Sequence, residues 1–219
     1  MKKNQFIYLS VIIAVSLMSY VDAVVLPGYL IRSIIKIFLF CGTVFLYSYL
    51  YKDNILKDIN FNLTSLKKVL PLAIGVYILI ISAYFIFRNF FDFSHVKEAL
   101  LNSTGVGKDN FIFVSLYVAL INSFLEEFFF RGYCFLHLKN LVGRKSAYLF
   151  SSLMFAIYHC SMMIGWFNIF LYLLLIISLF VSGLIFNYLN ERYDSLLASW
   201  FFHMFANFSI NTVGIILLL

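Results

Sequence analysis

Apolar residues run along this chain in blocks of about 20, the length a helix needs to cross a hydrocarbon core. Seven blocks can be read: Phe6–Leu26, Tyr29–Leu50, Val69–Phe90, Phe111–Leu138, Ala147–Trp166, Ile169–Leu189 and Leu196–Leu219. The connections Lys52–Lys68 and Phe91–Asn110 are the two long polar stretches. The pattern predicts an all-α fold, a polytopic transmembrane helix bundle of seven spans, with an eighth or re-entrant segment as the alternative count. No polar stretch could form a soluble domain, so residues 1–219 read as a single membrane domain. No repeat, low-complexity tract or Pro-rich linker is legible, and the spans read as free of Pro interruptions.

Composition agrees with the pattern. The 219 residues are 63% hydrophobic and 12% charged, whereas a soluble domain is roughly half apolar and a quarter charged. The formal charge of +6 would suggest nucleic acid in a soluble protein. Here topology explains it, because the basic residues sit in short loops. The expected partner is therefore the lipid bilayer, not nucleic acid. With the N-terminus inside, Lys2, Lys3, Lys52, Lys57, Lys67, Lys68, Lys139, Arg144, Lys145 and Arg192 fall on the inner side. Arg32, Lys36, Arg88, Lys97 and Lys108 fall outside or near that edge. The excess predicts an inner N-terminus and an outer C-terminus. Lys2 and Lys3 before an apolar run, with Val21-Asp22-Ala23 after it, also resemble a cleavable signal. The apolar character continues through Leu26, so a retained helix is the expectation. Cys41, Cys134 and Cys160 fit neither a disulfide framework nor a zinc site. They read as small buried apolar residues.

Against this background, ionisable residues inside the spans stand out, since each costs a few kcal/mol there. The fourth span contains Asn122-Ser123-Phe124-Leu125-Glu126-Glu127-Phe128-Phe129-Phe130-Arg131. Glu127 and Arg131 are i and i+4, on one face and within pairing reach. Glu126 is rotated about 100° away and has no local partner in this reading. The fifth span carries His159. The seventh carries His203 and Asn207, again i and i+4. At 1.5 Å per residue, Glu126, His159, His203 and Asn207 all fall roughly 10–20 Å from the inner ends of their spans. A lone histidine or a lone Glu–Arg pair is usually packing. Three helices bringing polar groups to similar depth read as a functional site. Asp22 near a span edge, His95 in a loop and His137 near a helix end read as structural. Asn168, Asn187 and Asn211 read as interhelical hydrogen-bonders.

Glu126-Glu127-x-x-x-Arg131, Phe155-x-x-x-His159 and His203-x-x-x-Asn207 together resemble the motif set of the CPBP family. This family comprises the CAAX prenyl proteases and bacteriocin-processing proteins, is also called Abi, and includes the Ras-converting enzyme. The resemblance covers residues 111–210, the motif-bearing core, and implies an intramembrane protease. It implies that Glu126 and His159 activate a water, that His203 and Asn207 stabilise the oxyanion, and that Glu127 and Arg131 brace the fourth helix.

Chemistry supports the same reading. Peptide hydrolysis needs an activated nucleophile and donors for the developing oxyanion. No Ser–His–acid set is legible, and no cysteine has a basic partner. Glu126, His159 and His203 would also make a His₂Glu zinc site. No H-E-x-x-H occurs, and asparagine is a poor zinc ligand but a good donor. A cofactor-free glutamate mechanism is thus the expectation and zinc the alternative. A transporter or an immunity protein on the same fold is the rival from another class. The Ile-, Phe-, Asn- and Lys-rich composition points to a bacterial source and a cytoplasmic membrane. Bacteria lack prenylated CAAX substrates of their own, so a leader peptide, a signalling-peptide precursor or a membrane protein is the expected substrate.

Overall fold

The computed structural model of the chain describes residues 1–57, 59–91, 93, 106–107 and 109–218. His95, Lys97, Lys108 and Leu219 lie outside the described residues. Among the described residues all regular structure is helical. Helix α1 spans Lys3–Tyr20 and continues into a π-helical turn, Val21–Val25. Helix α2 spans Tyr29–Tyr51, and a short 3₁₀ turn at Ile55–Lys57 leads to α3, Thr64–Phe87. The remaining helices are α4 (Phe111–Val142), α5 (Arg144–Met162), α6 (Ile169–Tyr193) and α7 (Leu196–Leu218).

Each expected span is a helix. All except α5 are long and apolar enough to cross a membrane, so the chain is a multi-pass helical membrane protein. Helix α5 falls short because it opens on Arg144-Lys145 and carries Ser146, Ser151 and Ser152. It packs against α1, α4 and α6, so polar positions can face protein instead of lipid. Ser151 donates to the Phe130 carbonyl at 2.8 Å, and Asn187 of α6 donates to Ser152 Oγ at 3.2 Å. The other helices turn large apolar side chains outward, among them Leu30, Phe38, Phe45, Leu79, Phe113 and Phe170. A bilayer solvates such faces at no cost.

Several boundaries differ from the pattern by a few residues, two of them for a legible reason. Helix α3 starts five residues before Val69, because Asn62 collects its first turn. Asn62 Oδ1 accepts the Thr64 N–H and hydroxyl, and its carbonyl accepts the Ser65 hydroxyl. Pro71 lies inside α3, and it lies within Val69–Phe90 as well, so the expectation of spans free of Pro interruptions is wrong for this helix. The break between α4 and α5 is the single residue Gly143, at φ 90°, a conformation that favours glycine.

The helix ends gather. Lys3 pairs with Asp53, Asn60 donates to Asp194, and Arg144 pairs with Glu191. The N-terminus, the α2–α3 loop, the α4–α5 break and the α6–α7 turn therefore share one end of the bundle. The ten basic residues assigned to the inner side lie on or beside these segments. Arg32 and Lys36 do not belong to the opposite loops as the sequence suggested. Both are buried inside the bundle. Cys134 is buried as expected, but Cys41 is exposed on α2, facing outward from the bundle. Asn187 and Asn211 do bond between helices, whereas Asn168 caps α6 by accepting the Leu171 N–H.

Candidate active site

Helix α4 departs from regular α geometry in two stretches, Val118–Asn122 and Phe128–Leu136, both π-helical. Such widened turns recur at functional sites. The α-helical turn between them, Ser123–Glu127, carries both glutamates. Glu126 lies 15 residues from one end of α4 and 16 from the other. At 1.5 Å per residue that is about 22–24 Å from either end.

Glu127 sits in a fixed, fully buried network. Its Oε1 lies 3.2 Å from Arg131 Nη1, the i,i+4 pair that the sequence predicts. The same oxygen lies 3.0 Å from His203 Nδ1 of α7. Aromatic rings close around the cation. The guanidinium is 4.3 Å from the Phe155 ring and 4.7 Å from the Phe186 ring. Phe186 also stacks on His203 at 4.7 Å. Two buried charges cost free energy unless paired; the ion pair, His203 and the rings come from α4, α5, α6 and α7, while Glu127 Oε2 and Arg131 Nε and Nη1 make no hydrogen bond among the described residues.

Glu126 is not the unpartnered carboxylate that the sequence suggested. Its Oε1 accepts the Asn122 amide at 2.8 Å, one turn earlier on α4. It also lies 3.3 Å from Lys36 Nζ, which reaches in from α2 and donates to Asn122 Oδ1 at 2.6 Å. Both partners are buried. The i,i+4 rule pairs Glu127 with Arg131 but says nothing of Asn122 one turn before Glu126, nor of a side chain from another helix. An ammonium inside the apolar run of α2 is the sequence signal for Lys36.

The other oxygen faces the histidines. Glu126 Oε2 is 3.6 Å from His159 Nε2 and 3.9 Å from His203 Nε2. Both distances exceed a direct hydrogen bond. His159 Nδ1 is 2.8 Å from the Phe155 carbonyl. A carbonyl only accepts, so Nδ1 carries the proton, and in the neutral ring Nε2 is an acceptor. Three helices thus bring Glu126, His159 and His203 to one point. Asn207 is turned differently. Its amide donates to the Val118 carbonyl of α4 at 3.3 Å, leaving its second N–H uncommitted to that bond. Asp22, read as a span-edge residue, is buried and paired with Arg32 at 3.2 Å beside this site.

Among the described residues, no group of three or more His, Cys, Asp or Glu is arranged to hold a metal ion. The Lys36 ammonium next to Glu126 also makes the site less hospitable to a divalent cation.

Residues 108–209 match the family model described as Type II CAAX prenyl endopeptidase Rce1-like. The match holds α4, α5 and α6 and reaches into α7 past Asn207. No curated protein and no solved structure matches the chain.

Proposed function

We propose, from the premise that the 108–209 region belongs to the Rce1-like type II CAAX prenyl endopeptidase family, that this protein hydrolyses a peptide bond with Glu126 as its central base. The observation carrying the reading is the pair of facing acceptors, Glu126 Oε2 and His159 Nε2, 3.6 Å apart. A water placed there donates one O–H to each, which polarises its oxygen toward a substrate carbonyl. Glu126 takes one proton as the water oxygen attacks the carbonyl carbon. The C–N bond then breaks, and that proton passes to the leaving amine. The water's other hydrogen stays on the new carboxyl group.

The developing oxyanion needs donors. Asn207 offers its second amide N–H. His203 donates its Nδ1–H to Glu127 in a hydrogen bond, so its Nε2 can donate only in the imidazolium form. Arg131 fixes Glu127 and acts as the brace.

The substrate is a membrane-associated peptide or protein, reached in a bilayer and, given the composition, in a bacterial cytoplasmic membrane. No cofactor takes part in this mechanism. Comparative peptidomics of cells carrying the parental chain and Glu126→Gln tests the reading and names the substrate together. Peptides that depend on Glu126 support it. Identical peptidomes, with both proteins present at equal level, overturn it.

A further inference from the structure

The family match begins at residue 108, yet one of the nearest charges to Glu126 comes from α2, far outside it. Lys36 is the eighth residue of α2 and sits in a run of apolar neighbours. A buried ammonium there is costly, and it is held by three contacts. Its Nζ lies 2.6 Å from Asn122 Oδ1, 3.3 Å from Glu126 Oε1 and 5.0 Å from the Tyr158 ring centroid. Packing sets its register. Phe40, one turn after Lys36, stacks on Phe129 of α4 with centroids 4.1 Å apart and planes within 9°. Phe129 is three residues after Glu126. The stack therefore holds Lys36 over the start of the glutamate turn.

We propose that Lys36, acting through Asn122 and on Glu126 directly, is a positioning residue of the peptidase site. It ties down Oε1 so that Oε2 alone faces His159 and His203. The bonding pattern is directional. Lys36 can only donate, so Asn122 must present Oδ1 to it and its NH₂ to Glu126. The amide cannot flip without placing donor against donor. Both donors end on Oε1, and the carboxylate cannot rotate without losing them. This inference rests on the peptidase reading of Glu126 and extends the site into the N-terminal third of the chain.

Other ionisable groups facing Glu126 are Asp22 and its partner Arg32, Tyr29 of α2, Tyr158 and His159 of α5, and His203 of α7. Glu127 and Arg131 share its own helix. Of these cations and partners, Lys36 is the charge bonded to the carboxylate itself. Its removal should therefore be legible above the rest.

The test compares the full-length parent with Lys36→Met, Lys36→Arg and Asn122→Ala in lipid vesicles, on a peptide identified by the peptidomics above. Lys36→Met should lower kcat about 10²-fold, the scale of a misplaced reacting group, with KM little changed. The acid limb of its pH–rate profile should move up by about one to two pH units, the reach of an adjacent opposite charge. Lys36→Arg should restore the parental limb. Asn122→Ala should shift the limb the same way by less, and it serves if Lys36→Met does not fold. A second readout needs no turnover: the protonated-carboxyl infrared band that Glu126→Gln removes should appear at higher pH in Lys36→Met. A folded Lys36→Met or Asn122→Ala variant with the parental limb and band overturns the proposal. If Glu126→Gln still cleaves, the reading of Glu126 as the catalytic base fails instead, and the infrared titration still decides whether Lys36 governs the carboxylate.

Discussion

His203 Nδ1 meets Glu127 Oε1 at 3.0 Å, although 76 residues separate them along the chain. The contact ties α7 to α4 through the same oxygen that receives Arg131. It divides the adjacent glutamates between two tasks. Glu127 is enclosed by fixed partners, whereas Glu126 keeps one oxygen directed at two histidine nitrogens. The division predicts different failures for variants five residues apart on α4.

Arg131→Ala leaves Glu127 buried without its cation. Breaking a buried pair costs about 3–5 kcal/mol, and the rings of Phe155 and Phe186 lose their packing partner as well. Melting temperature and yield in detergent should fall together with activity. Glu126→Gln should stay folded and lose turnover. Melting curves and turnover measured on both variants check this. A stable Arg131→Ala beside an unstable Glu126→Gln would reverse the two roles.

Asn207→Ala should slow turnover by about 10²–10³-fold, the scale for one oxyanion donor, with the melting curve nearly unchanged. Activity of the parent should persist through prolonged phenanthroline treatment, and elemental analysis should find no stoichiometric zinc. Inactivation reversed by added metal would replace the glutamate mechanism with zinc activation of the water.

Close approach of α5 and α6 predicts a matched pair of stability effects. A Cβ added at Gly183 would lie 2.9 Å from the Ser152 Cα, a backbone atom that cannot swing aside. Gly183→Ala should destabilise by about 1–3 kcal/mol, the range for overpacking. At Gly42 of α2 nothing lies within 4 Å. Gly42→Ala should be neutral or stabilising by up to about 1 kcal/mol, the helix propensity difference. Thermal melts of the two variants in one detergent decide the point.

Stability should also depend on pH through Asp53, outside the spans. The hydrogen bond from Lys3 holds its carboxyl below the usual carboxylate range, although burial opposes this. A carboxyl with a depressed folded pKa contributes stability above its unfolded pKa, and that stability is lost as pH falls through the folded value. Asp53→Asn should therefore melt lower than the parent at neutral pH. The two curves should converge as pH falls below the ordinary carboxylate range. A gap that persists unchanged in acid would mean that the charge of Asp53 does not anchor the N-terminus.

Sequence alone determined the bilayer as solvent, the seven helices, and the motif positions on α4, α5 and α7. Length and hydropathy suffice for the first, because a membrane helix satisfies its backbone internally and needs no information from its neighbours. The Glu127–Arg131 pair was equally legible, because i,i+4 geometry is local. Tertiary structure decided the partners of each charged group. Lys36 over Glu126, Glu127 against His203 and Arg32 on Asp22 all depend on which helices lie side by side and in what register. Those are set by contacts such as the Phe40–Phe129 stack and the Gly183–Ser152 approach, between residues with no fixed spacing in the chain. Helix periodicity places a side chain on a face, and only packing chooses what that face meets.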